Sequence, residues 1–149
     1  MLKKGSIVLS IWCAINFILA FVILGYVIIL KEDSPILQVA AFSESEIAGL
    51  SARTIAALNC FTILYNSCSL AVSVLTWPLI RKNLVACEKW AFWLLAGVIG
   101  FIEVMAFFAS SYIGNGRWQV NVVQSVLYLT GIGLSGISIF KGAKNEIRH

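Results

Sequence analysis

The stretch WAFWLLAGVIGFIEVMAFFASSY, residues 90–112, runs for 23 residues and contains one charged side chain, Glu103. About 20 apolar residues in a helix span the ~30 Å hydrocarbon layer of a bilayer, so this stretch is long enough to cross. Three others repeat the pattern: Ser6–Leu30 (25 residues), Thr54–Ile80 (27) and Trp118–Phe140 (23) carry no charge at all. The whole chain of 149 residues is 60% hydrophobic and 12% charged, with mean hydropathy +0.91. Soluble domains average ~25% charged residues. No run has the charged helical face that a soluble bundle turns to water. The expected fold class is therefore an all-α membrane protein. It is a four-helix transmembrane bundle with antiparallel neighbours, forming one domain over residues 1–149, with helices at about 6–30, 54–80, 90–112 and 118–140.

The first run is too long for a signal-peptide core and no small-residue cleavage pattern follows it, so a retained anchor is expected. Charge sets the orientation. Eight of the eleven Lys and Arg residues flank the runs on one side: Lys3, Lys4, Arg81, Lys82, Lys89, Lys141, Lys144 and Arg148. Lys31, Arg53 and Arg117 lie on the other. The positive-inside rule then places both termini in the cytoplasm, with a bacterial inner or cell membrane as the expected setting. Trp77, Trp90 and Trp93 fall near the inner boundary and Trp118 near the outer one, as interfacial anchors do. The net charge of +4 is thus a topology signal, and nucleic acid is not an expected partner because no continuous basic face exists.

Cys13, Cys60, Cys68 and Cys87 lie in or beside the runs, none in an outer loop where a disulfide would form. There is no Cys-x-x-Cys, and His149 is the single histidine. No metal site and no cofactor are expected. GIGLSG, Gly131 to Gly136, matches the dinucleotide-binding glycine pattern but follows no strand and lies inside a helix, so close helix packing explains it. No family resemblance is carried by these residues. The paired cysteines of four-helix thiol oxidoreductases are missing, and so are the outer-loop cysteines of claudin-like and tetraspanin-like proteins.

Between Lys31 and Arg53, Ser34 and Pro35 read as the start of a short interfacial helix, with a simple loop packed on the bundle as the alternative. Ser43 with Glu46 reads as a capping box, from which the second transmembrane helix starts near residue 44. Pro78 is expected to kink that helix slightly near its inner end.

Polar residues within the runs recur at helical spacing. On the second run they are Asn59, Thr62, Asn66, Ser69, Ser73 and Thr76; on the fourth, Gln124, Tyr128, Gly131, Ser135 and Ser138. The third shows Ala96, Gly100, Glu103, Phe107 and Ser110, and the first Cys13, Asn16 and Ala20. Steps of three and four keep each set on one face, and such faces turn into a bundle. Counting from the basic side, Glu103 and Asn66 lie roughly 20 Å deep, Tyr128 ~18 Å and Asn16 ~15 Å. A mid-membrane polar cluster follows.

A carboxylate at that depth costs several kcal/mol if ionised without a partner, and none of the runs offers a Lys, Arg or His. Glu103 is therefore expected to be largely protonated and hydrogen-bonded to Asn66, Asn16 or Tyr128. Its role is open among a structural tie, a ligand site with aromatic Phe107 on its wall, a proton-for-cation exchange site, and a general acid or base. The last lacks a second titratable group at the same depth, so no catalytic residue is assigned and a non-enzymatic role is expected. The expected function is binding of a lipophilic ligand or a membrane partner through Glu103, Asn66, Asn16, Tyr128, Asn59 and Gln124. The alternatives are a small proton-coupled transporter of a cationic or lipophilic compound, and an accessory or immunity-type subunit of a membrane complex. Expected partners are the lipid bilayer, a lipophilic small molecule, and a second copy or another membrane protein.

Topology has a direct check. A membrane-impermeant thiol reagent applied outside is expected to label a Phe42→Cys variant and to miss native Cys87; the reverse pattern would invert the orientation.

Overall fold

The computed structural model describes residues 2–30, 43–112 and 118–146. Every regular element among them is helical: α1 (Leu2–Ile29), α2 (Glu44–Ala48), α3 (Ala52–Leu84), α4 (89–112) and α5 (Trp118–Glu146). Of these, α1, α3, α4 and α5 are long and apolar enough to cross a membrane, which marks the chain as a membrane protein. In hydrocarbon a backbone N–H or C=O finds no water, so a continuous helix is the conformation that pairs both within one segment. The interfacial helix expected after Ser34 lies outside the described residues.

The capping box at Ser43 is present. Ser43 Oγ accepts from the Glu46 N–H at 3.3 Å, and Glu46 Oε2 accepts from the Ser43 N–H at 2.7 Å. That backbone bond, with a second from the Ser43 hydroxyl, holds the Glu46 carboxyl below the usual carboxylate range. The cap is thus intact above that range and weakens as acid protonates Glu46. It starts a helix of its own, which stops at Gly49, whose N–H bonds back to Ser45 and Glu46. The spanning helix α3 begins at Ala52 from a second cap, Ser51, whose Oγ accepts the Thr54 N–H at 3.1 Å. Two caps eight residues apart give two helices in place of the single one that the capping box at Ser43 foretells.

Three of the long helices contain a wider, π-wound turn: Gly25–Ile29 in α1, Leu79–Leu84 in α3 and Leu95–Ile99 in α4. The turn in α3 follows Pro78 directly. Proline has no N–H and its ring crowds the preceding turn, so the winding changes there while the helix continues.

On α3 and α5 polar side chains turn inward and large apolar ones outward. On α3 the polar seam turns inward, with Thr62, Asn66, Ser73 and Thr76 buried and Asn59 and Ser69 half-buried. Phe61, Leu64, Tyr65 and Leu75 face out. On α5, Tyr128, Gly131 and Ser135 are buried while Val123, Val126 and Leu129 are exposed. On these two helices large apolar side chains thus coat the exterior, while small and polar ones join the interior.

The helices do not pack evenly. α1 lies between α5 and α3, and α4 packs on α5. α3 meets α4 closely where Leu79–Leu84 lies against Lys89–Leu94, while the body of α3 and the 100–112 part of α4 stand apart. Leu9, Trp12, Ile80, Leu84, Phe92, Leu95, Ile99, Tyr128 and Ile139 form the apolar core, concentrated towards the end of the bundle that carries the α3–α4 turn. Gly5 allows the tightest approach: a Cβ there would run into Ser135 Oγ and fall 2.9 Å from the Gly131 carbonyl oxygen, and a Cβ at Gly131 would fall 2.6 Å from Leu9 Cγ, so α1 and α5 meet closely at both glycines.

The α3–α4 turn holds one strained residue. Glu88 N–H donates to the Asn83 carbonyl at 3.1 Å and Cys87 N–H to the Leu84 carbonyl at 3.0 Å, the pairing of a Schellman cap. The residue at its centre takes a left-handed conformation, which glycine adopts freely, and here it is Cys87 with φ 62°. Cys87→Gly is expected to stabilise the protein by about 1 kcal/mol, read as a rise in the unfolding midpoint in detergent micelles.

Candidate functional site

The helical step of three and four residues brings one face from each of the four long helices to a common point. Trp12 and Asn16 are one turn apart on α1; Tyr65, Ser69 and Ser73 climb α3 at steps of four; Glu103 and Ala106 lie on α4, and Gln124 on α5. With Cys68, Val72 and Ile102 they enclose a cavity of about 180 Å³ in the gap between α3 and α4. Tyr65 and Cys68, both in its lining, are exposed, so the cavity opens to the exterior of the bundle.

Glu103 forms part of its wall and is 8% exposed. Its two oxygens accept separate hydrogen bonds. Trp12 Nε1–H donates to Oε1 at 2.9 Å, and Ser125 Oγ–H donates to Oε2 at 2.9 Å. A buried indole N–H can only donate and must find an acceptor, so Trp12 fixes the direction of the first bond. The serine hydroxyl rotates: it donates to a carboxylate and accepts from a carboxyl group. Three helices, α1, α4 and α5, are therefore joined at one side chain, whichever protonation state it holds.

The partners expected from the sequence bond elsewhere. Asn16 donates from Nδ2 to the Trp12 carbonyl at 2.9 Å, and Asn66 from Nδ2 to the Thr62 carbonyl at 2.8 Å, each one turn back along its own helix. Tyr128 donates to the Ala96 carbonyl at 2.8 Å and to that of Leu95 at 3.3 Å, in the wide turn of α4. Its ring meets Trp12 at a centroid distance of 6.1 Å. Gly100 accommodates the hydroxyl, because a Cβ there would come within 2.9 Å of it. Tyr128 thus supports Trp12 and α4 from behind the cavity.

Of the six residues singled out by sequence, the structure gathers Glu103, Asn16 and Gln124 on the cavity wall. Asn66 and Tyr128 are buried beside it without lining it, and Asn59 is half-buried on the same face of α3 with a partner of its own. Phe107, expected on the wall, is 44% exposed and faces outward; Trp12 and Tyr65 supply the aromatic surface instead. Trp12 and Ser125 were missed because the 3–4 pattern counts polar side chains within a seam. Trp12 reads as apolar, and Ser125 sits one position off the seam at Gln124. Among the described residues no group of three His, Cys, Asp or Glu side chains is placed to hold a metal.

No protein-family model matches the chain, and no curated protein or solved structure is significantly similar to it.

Trp12→Phe keeps the ring and removes the donor to Oε1. It is expected to destabilise the fold by about 1–3 kcal/mol, measured by thermal unfolding in micelles. Trp93→Phe, at a 63% exposed position, provides the comparison and should shift little.

Proposed function

We propose that this chain is a multi-pass membrane protein that binds a lipophilic ligand in the cavity beside Glu103, without a catalytic step. In this reading neighbouring helices run antiparallel in a single domain and both termini are cytoplasmic. The antiparallel arrangement is supported by contacts whose numbers rise along α1 as they fall along α5: Gly5 against Ser135, Leu9 against Gly131, Trp12 against Tyr128. The cytoplasmic placement rests on the basic residues at the α3–α4 turn and both chain ends.

One observation carries the ligand-binding reading. A purely structural carboxyl would sit inside a packed helix contact, whereas Glu103 borders open space that reaches the lipid-facing side. Binding sites are concave, mostly apolar and furnished with a few convergent polar groups. Val72, Ile102, Ala106, Trp12 and Tyr65 supply the apolar and aromatic surface here, and Glu103, Asn16 and Gln124 the polar groups. A site between helices that opens sideways receives its ligand from the bilayer.

A proton-coupled transporter is the second reading. It is favoured by the rotatable Ser125 hydroxyl, which satisfies Glu103 with or without a proton.

The test compares wild type with Glu103→Gln. Glutamine keeps an oxygen for Trp12 and offers an N–H₂ to Ser125, so the bundle retains its contacts. Lipophilic compounds that raise the unfolding midpoint of the wild type are expected to lose at least ~10-fold in affinity for the variant, about 1.4 kcal/mol. The midpoint of the ligand-free variant should stay close to that of the wild type. If the variant unfolds or changes oligomeric state instead, Glu103 is a structural tie.

A further inference from the structure

Resting on the ligand-binding reading above, we infer that the cavity selects a protonated amine: an amphiphilic organic monocation whose ammonium group sits against Glu103 and whose apolar body extends towards the lipid.

The hydrogen bonds around Glu103 are one reason for this class. Several donors of the wall are spent within the protein, while the Tyr65 and Ser69 hydroxyls and the Gln124 amide remain on it. The Trp12 indole N–H and, behind the wall, the Ser125 hydroxyl are both directed at Glu103. An Asn16 amide N–H is taken by the Trp12 carbonyl, and the Ser73 hydroxyl by the Ser69 carbonyl at 2.9 Å. Acceptors remain. Each carboxylate oxygen keeps a lone pair after accepting one bond, and the Asn16 amide oxygen is not engaged by the bond its nitrogen makes. A ligand that brings donors is matched by these acceptors at Glu103.

Charge points the same way. Among the described residues, the cavity lining includes one formally charged group, Glu103, and no Lys, Arg or His. A single positive charge neutralises an ionised Glu103 inside the low-dielectric region; an anion would add to the unbalanced charge. Trp12 and Tyr65 line the same space, and aromatic rings attract ammonium groups. Val72, Ile102 and Ala106 fill the rest of the wall with hydrocarbon, which suits an organic cation rather than a hydrated inorganic one.

Size bounds the ligand. The volume of about 180 Å³ is close to the ~150 Å³ of an apolar cavity that accommodates benzene, so one ring or a short alkyl chain with its ammonium group fits. Anything longer continues past Tyr65 and Cys68, the exposed members of the lining, into the acyl-chain region.

Three probes of matched shape separate the possibilities: benzylamine, which is protonated at neutral pH, benzyl alcohol, and benzoate. Their binding is measured by equilibrium dialysis against the purified full chain in phosphatidylcholine nanodiscs, with empty discs subtracted. Benzylamine is expected to bind at least ~10-fold more tightly than benzyl alcohol, with no binding of benzoate above the empty-disc level. Glu103→Gln should bring benzylamine down to the level of the alcohol. Tyr65→Leu, at an exposed position outside the core, should weaken benzylamine about threefold and leave the alcohol nearly unchanged. Equal binding of amine and alcohol to the wild type overturns the cation selectivity while the lipophile-binding reading survives. Absence of binding by all three overturns both. Tighter binding of benzoate than of benzylamine overturns the selectivity and requires a cationic group in the site.

Discussion

Within the hydrocarbon layer a polar group can be satisfied only by another part of the protein or by a ligand, and the hydrogen bonds inside this bundle follow from that restriction. The backbone responds by remaining helical through three wide turns and past Pro78. Side chains respond locally. Thr62, Asn66, Ser73, Ser135 and Ser138 each donate to the carbonyl one turn behind, at 2.8–3.0 Å, and so arrive at the interior already paired. Among the described residues Ser10 is the exception, with a buried Oγ that has no partner.

Local pairing has a limit, and Glu103 marks it. A carboxyl group has no donor within its own helix to turn to, because the N–H groups there are committed to the backbone ladder. Its partners must come from other helices, and they do so from α1 and α5. The same requirement explains why Trp12 is buried with its N–H directed at an oxygen. The one side chain that cannot be satisfied at home therefore ties α1 and α5 to α4. α3 is left out of this tie, and the cavity lies on the side where α3 and α4 separate.

How much of this was legible beforehand depends on whether a feature is set by period or by rotation. The four spans follow from apolar length, and their ends differ from the sequence reading by a few residues. The inward faces of α3 and α5 follow from steps of three and four, because hydroxyl and amide groups cannot face lipid cheaply. The same periodicity places Glu103, Asn16 and Gln124 near one another. It does not resolve which neighbour a side chain bonds. One position along a helix is a rotation of about 100°, and Ser125 differs from Gln124 by that much. Back-bonding of Asn16 and Asn66 was equally hidden, since an amide gives the same signal in a sequence whether it reaches across or folds back. Tyr128 was placed correctly in the interior, but its acceptors are carbonyls in a wide turn of α4, and nothing in the residues Leu95–Ile99 announces that winding.

That wide turn has a consequence for where the carboxylate points. Leu95–Ile99 lies between the start of α4, packed in the core through Ala91 and Phe92, and Glu103 one turn beyond it. A π-wound turn takes up more residues per revolution than an α-wound one, so it sets the angular phase of everything after it relative to everything before. If the segment rewound to α geometry with Phe92 held in place, residues from Gly100 onward would advance round the axis by up to about one position. The direction now occupied by Glu103 would pass to the apolar residue before it, Ile102. By seating its hydroxyl on the carbonyls of Leu95 and Ala96, Tyr128 holds the helix at the phase that presents an acid, and not a hydrocarbon, to Trp12 and the cavity.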